Sequence, residues 1–193
     1  MARLAYLKTP RTKGYITLGV AFEEKTCPYT VSRITYSEIG SPVRGDEIDR
    51  DTLGRLVKED EFFRAERRAL SILSYADNSE RMLKMKLMRL GFSDEAVSHA
   101  VIAVVGHGYI DEQRQLKIKI AELANNKLRG KYYIIQYLAG RGYSRALVEE
   151  VIERLTEEGV IDFQASFERL AEKHNAVDRE EKYALLKKYG YKR

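Results

Sequence analysis

The chain has one cysteine, three prolines and no tryptophan in 193 residues, and these shortages exclude several things at once. A lone Cys27 cannot build an internal disulfide framework, and it suits a reducing compartment. Pro10, Pro28 and Pro42 are the only prolines, so no missing backbone N–H interrupts a helix after residue 42. Uninterrupted apolar runs never reach the roughly 20 residues that span a bilayer. Met1 is not followed by a leader-like apolar segment. A soluble, cytoplasmic protein with no membrane contact is expected. The three histidines, His99, His107 and His174, form no HExxH and no second ligand pair at helical spacing.

What the chain does have is a repeat. Leu87, Gly91, Phe92, Ser93, Val97, Val101, Gly108, Ile110 and Asp111 return as Leu138, Gly142, Tyr143, Ser144, Val148, Ile152, Gly159, Ile161 and Asp162. Each pair is 51 residues apart (142 − 91, 162 − 111), with no gap. A fixed period of this size marks stacked supersecondary units, which present a long surface to a long partner.

The patterns divide the chain into residues 1–60, 61–111, 112–162 and 163–193. The first part alternates, with strands predicted at Arg3–Lys8, Tyr15–Phe22 and Tyr29–Ile34 and a polar connection over Glu23–Thr26. A short helix through Leu53, Leu56 and Val57, capped by Asp51 or Thr52, closes it. From Glu61 onward helical spacing dominates. Phe62, Ala65, Ala69, Ile72 and Leu73 share one face, and Asn78 or Ser79 caps a second helix. That helix ends at Gly91, which takes a left-handed C′ conformation without steric cost. Ser93 caps a third helix with Ala96, Val97, Ala100, Val101, Val104 and Val105 inward.

The same grammar recurs from Glu112, with Ser144 as the corresponding cap. Leu186 to Tyr191 then echo Leu138 to Tyr143, giving a third repeat of two helices only. Ile110 and Ile161 are expected to plug the seams between repeats. The fold class expected is mainly α, tandem three-helix repeats in an elongated array behind a small β-rich extension.

Catalysis finds little support. His99 and His107 flank an apolar face and read as structural, and Cys27 reads as a small packed residue. The acids Asp46, Glu47, Asp49 and Asp51 lack the spacing of a calcium loop and suit a helix start. A metal-dependent nuclease built on them is the weakest of the readings. No cofactor is implied.

Net charge is +5, and its placement is informative. Arg81, Lys84, Lys86 and Arg89 follow one another with no acid after Glu80. Arg114, Lys117, Lys119, Lys127, Arg129 and Lys131 face a lone Glu122, and Lys182, Lys187, Lys188, Lys192 and Arg193 close the chain. Glu149, Glu150, Glu153, Glu157 and Glu158 concentrate acid on another helix. In register, first and second helices would build a basic stripe, with third helices facing elsewhere. The helix–Gly-Phe-Ser–helix joint resembles a helix-turn-helix, but Asp94-Glu95 and Glu149-Glu150 would meet phosphate with like charge. Contact with a polyanion is therefore expected through backbone charge. Tyr132 and Tyr133 could stack on bases or anchor an interface, one buried and one exposed.

As an ordered series, Ala69–Ser74 with Ser79-Glu80, Lys86-Leu87 with Leu90-Gly91-Phe92, Gly108–Asp111, Leu138 with Gly142-Tyr143, and Val148–Leu155 resemble the RecX family, small helical regulators of the RecA recombinase. The likeness covers Phe63 to Tyr191 and is looser over Gly45–Leu56. It implies a curved rod of three-helix repeats lodged in the groove of a RecA–single-stranded DNA filament. Such a rod would restrain ATP hydrolysis, strand exchange and co-protease action in recombination, repair and the SOS response. A monomer is expected. Many relatives have a further last helix, so Leu185, Leu186 and Tyr189 need cover from the array or from the partner. The residues expected at the contact are Arg81, Lys84, Lys86, Arg89, Arg114, Lys117, Lys127, Arg129, Lys131, Tyr132, Tyr133, Lys187 and Lys188. The alternative is a helical-repeat module for single-stranded DNA or peptide, with no recombinase partner.

Overall fold

The computed structural model describes residues 2–23 and 25–192. Glu24, in the expected β connection, and Arg193, in the basic tail, lie outside the described residues. The chain is mainly α with a small antiparallel sheet, and it falls into two units. One holds residues 1–74 and 84–107, and the other 75–83 and 108–193.

In the first unit, β1 (Ala2–Lys8), β2 (Tyr15–Ala21), β3 (Thr26–Ser32) and β4 (Glu47–Ile48) pair in the order β3-β2-β1-β4. Alternation puts Ile16, Leu18 and Val20 of β2 into a core with Leu4, Val31, Ile48 and Leu56. The third strand sits earlier than its β-formers suggest, because Ser32 caps helix α1 (Arg33–Glu38) by accepting from Thr35 N at 3.0 Å. That local bond outweighs the β preference of Ile34. Pro28 is tolerated because β3 is an edge strand. The two-residue β4 falls inside the acidic segment expected to start a helix, because Ile48 and Glu47 pair with Ala2 and Arg3 of β1.

The short helix through Leu53 and the helix expected from Glu61 are one element, α2 (Arg50–Tyr75), 26 residues long. Its cap is Asp49 rather than Asp51 or Thr52. Asp49 Oδ1 accepts from Thr52 N at 2.7 Å, and the Thr52 bonds hold its carboxyl below the usual range. One end of α2 packs Leu53 and Leu56 on the sheet. Asp60 there accepts from Thr30 N at 2.9 Å, satisfying a donor on the β3 edge. Further along, Phe62 stacks on His99 of α4 (Asp94–Gly106), 4.5 Å between centroids. Glu61 accepts from both Ser93 N and Ser93 Oγ. Ser93 caps α4 as expected, and Ala96, Val97, Ala100, Val101 and Val104 are buried. Helix α3 (Glu80–Arg89) contributes residues to both units.

The second unit contains α5 (Glu112–Ala121), a π-helical turn (Glu122–Asn126), α6 (Lys131–Gly140), α7 (Arg145–Glu157), α8 (Phe163–Lys173) and α9 (Arg179–Lys188). Leu116, Ile120, Ala124, Ile134, Leu138, Val148, Val151, Ile152, Leu155 and Ile161 form its core, close to the periodic positions. Ile110 and Ile161 are buried, while their neighbours Tyr109 and Val160 are exposed. Ser144 stands at the start of α7 without making a side-chain cap. Leu185 is buried within the protein itself.

Candidate functional site

The second unit contains the same joint twice. Ser79, just before α3, buries its hydroxyl, donating to Arg141 O at 2.8 Å and accepting from Met82 N at 3.2 Å. The period maps residue 79 onto residue 130 (130 − 79 = 51). Gly130, just before α6, donates its N–H to Tyr189 O at 2.9 Å, and Gly190 O accepts from Tyr132 N at 3.0 Å. In each joint the start of one helix docks on the glycine turn ending another. A Cβ on Gly130 would strike the backbone of Gly190 and Tyr191, so only glycine permits this approach.

Each turn is followed by a tyrosine. Tyr143 is buried and donates its hydroxyl to Gln115 Oε1 at 2.7 Å. Burial pushes it up to about 12, helped by the charges of Glu112 and Asp77 and opposed by Arg141. Glu112 is itself raised by burial, although its carboxylate accepts from Glu80 N at 2.9 Å. Tyr191 is likewise pushed up to about 12 by burial, with Arg169 and Arg129 opposing. Its hydroxyl is buried without a hydrogen-bond partner. The period places Ser166 where Gln115 stands, and a serine side chain is much shorter.

Around this second joint the predicted cations meet aromatic rings. The Arg129 guanidinium lies 4.5 Å from the Tyr133 ring centre and 4.8 Å from that of Tyr189. Lys188 lies over Tyr189 at 5.9 Å, and Lys187 over Tyr183 at 5.0 Å. Tyr132 is exposed, but Tyr133 is only half-buried, stacked on Tyr137 one turn along α6. The core places beside them go to Ile134 and Ile135.

Other expected residues are dispersed. Arg114 is exposed and Lys117 half-buried on α5; Arg81, Lys84 and Arg89 are exposed and Lys86 half-buried on α3. Two cations are partly offset by acids. Lys127 lies 4.0 Å from Glu122, and Lys131 lies 3.8 Å from Glu153 of α7. The acidic α7 thus does not turn wholly away from Lys131, at the start of α6. Such exposed pairs are each worth about 0–1 kcal/mol, so they lower the local positive potential without fixing the side chains.

The histidines make structural contacts. His107 Nδ1 lies 2.7 Å from Ala103 O, and His174 Nε2 lies 3.0 Å from the Tyr189 hydroxyl. Sequence reasoning named Tyr189 only as an apolar residue needing cover, and it passed over Arg141, whose guanidinium lies 4.5 Å from the Tyr137 ring. The i, i+4 spacing of Tyr137 and Arg141 was available as a signal.

No family model matches the chain. It is 23% identical over 145 residues to the regulatory protein RecX of Clostridioides difficile, covering 75% of this chain and 67% of that protein. The RecX of Clostridium acetobutylicum is 22% identical over 72% of this chain, and that of Caldanaerobacter subterraneus 26% over 72%. The match spans 64% of the acetobutylicum protein, slightly less than two thirds of its length. In fold, a crystal structure of a regulatory protein RecX superposes at a TM-score of 0.72, covering 98% of this chain and 93% of its own, at 19% identity. The crystal structure of RecX from Lactobacillus salivarius covers 67% of this chain and 84% of its own at a TM-score of 0.54 and 18% identity. Sequence and fold therefore agree with the motif series: the chain is similar to the RecX regulatory proteins.

Proposed function

We propose that this protein is a non-enzymatic regulator that binds the RecA–single-stranded DNA filament and restrains its ATPase, strand-exchange and co-protease activities. It would act as a cytoplasmic monomer in recombination, repair and the SOS response. The observation that carries the reading is the likeness to regulatory proteins RecX across about three quarters of the chain. In this reading residues 61–111, 112–162 and 163–193 act as successive repeats behind the 1–60 extension. Arg81, Lys84, Lys86, Arg89, Arg114, Lys117, Lys127, Arg129, Lys131, Tyr132, Tyr133, Lys187 and Lys188 supply the contact.

The half-buried Arg129 guanidinium and the exposed Lys187 and Lys188 ammonium groups beside tyrosine rings suit a nucleoprotein surface, where phosphates and bases are both presented. The test is RecA ATPase on single-stranded DNA, titrated with the protein. Inhibition that saturates is expected, and an unaltered rate across the titration overturns the reading. Alanine at Arg129, Lys187 and Lys188 together should weaken inhibition while leaving helical content intact. Direct phosphate contact would make log K fall with log salt by roughly 0.7 per phosphate. The alternative, a single-strand or peptide binder with no recombinase partner, predicts co-sedimentation with naked DNA and no preference for filaments.

A further inference from the structure

The first unit holds a second candidate surface, on the side of α2 opposite its apolar packing residues. Phe63 of α2 with Leu90 and Phe92 of the turn after α3 floor a concave cavity of about 520 Å³. Arg64, Arg67 and Arg68 stand around it. None of these arginines is among the cations offered above for filament contact, and that reading is not needed here.

The floor is apolar and open. Leu90 leaves 49% of its surface exposed at the cavity, and Met88, two residues before it, is exposed to the same extent. Three of the four neighbouring acids are already engaged, while Glu66 adjoins Arg67 and bears on the Tyr15 hydroxyl. Asp60 bonds Arg64 Nε at 2.8 Å and Thr30 N, Glu61 holds Ser93, and Glu59 accepts from Thr35 Oγ1 at 3.3 Å. Arg67 and Arg68 are exposed and take no part in the ion pairs among the described residues, so two guanidiniums stand against the single carboxylate of Glu66 and the rim stays net positive. A cavity of this size accepts one large side chain.

We propose that this cavity is a docking site for an acidic peptide segment carrying one aromatic or aliphatic anchor. The anchor would sit on Phe63, Leu90 and Phe92, and flanking carboxylates would pair with Arg67 and Arg68, whose planar forks match carboxylate geometry. A peptide fits better than single-stranded nucleic acid for two reasons. Phe63 is tilted against Tyr15 at 4.7 Å and shares the floor with the aliphatic Leu90, so the floor is a mixed apolar patch rather than a row of rings for successive bases. Arg64 is also already paired, leaving too sparse a row of cations to track a phosphate backbone.

The probe is a fluorescein-labelled heptapeptide with one central phenylalanine between acidic residues, titrated into the full chain and followed by polarisation. Saturable binding is expected. Serine in place of the peptide's phenylalanine should weaken it by about tenfold, as should Arg67→Gln with Arg68→Gln in the protein. Leu90→Ser should weaken it similarly, and these exposed positions leave the helical circular dichroism as a check on folding. Absence of saturable binding overturns the proposal, and so does binding indifferent to these changes. It is also overturned if oligo(dT) displaces the peptide and the same arginine pair controls oligo(dT) affinity, which would make the site one for nucleic acid.

Discussion

The joint at Ser79 and the joint at Gly130 do the same mechanical work with different chemistry. At the first, a side-chain hydroxyl bridges Arg141 O and Met82 N. At the second there is no side chain, and backbone meets backbone. The tyrosines that follow differ too: Tyr143 finds Gln115, whereas Tyr191 finds nothing. A structural repeat thus conserves where the chain goes while leaving each copy to satisfy its own polar atoms.

The comparison is broken most severely at the glycine turns. Gly190 has φ +76°, and a Cβ there would strike the Tyr133 backbone, which cannot step aside. Gly142 has φ +89°, but its Cβ would meet first the Ser79 hydroxyl at 2.5 Å, which can rotate. Gly190→Ala should therefore cost about 3 kcal/mol or more, and Gly142→Ala nearer about 2 kcal/mol, by urea denaturation. Equal losses would mean that the two joints are equally tight.

The tyrosines sharpen it further. Tyr143→Phe should cost about 1–3 kcal/mol because Gln115 would be left buried without its donor. Tyr191→Phe should be neutral or stabilising by about 1 kcal/mol, since it removes an enclosed hydroxyl that bonds to nothing. A loss at Tyr191 comparable to that at Tyr143 would show that its hydroxyl has a partner in solution. The same two tyrosines also set a pH dependence. Both tyrosines are pushed up to about 12 when folded, so the unfolded chain releases these protons first, near 10. Their contribution is complete below pH 10 and is lost as pH rises from 10 through 12. The Tyr143→Phe, Tyr191→Phe double variant should flatten that alkaline slope in denaturation curves.

The local signals in the sequence were good guides where one short stretch decides the outcome. Ser79 and Ser93 cap the helices they precede, and the inward residues of α4 and α7 follow the apolar spacing. Reading failed where one local signal overrides another, or where a change of pattern carries no stop signal. Ile34 looks like strand but belongs to α1, because Ser32 offers Thr35 a better-placed acceptor. A break near residue 60 looked natural from the change in pattern, yet α2 runs through it because no proline or cap stops it. At the candidate site, charge was visible but company was not. The enclosure of Arg129 between Tyr133 and Tyr189 joins residues 60 apart, and no spacing rule relates them (189 − 129). Arg67 and Arg68 lie on the side of α2 away from its apolar periodicity, where the spacing of apolar residues carries no signal.

That unbroken α2 carries a mechanical implication. At 1.5 Å per residue its 26 residues make a stiff strut of roughly 39 Å, seated on the sheet through Leu56 at one end and flanking the arginine-rimmed cavity along its length. Load applied to the sheet is transmitted along this strut without a hinge to absorb it. Cutting the gene between codons 60 and 61 would saw through it, leaving two fragments that each end in half a helix.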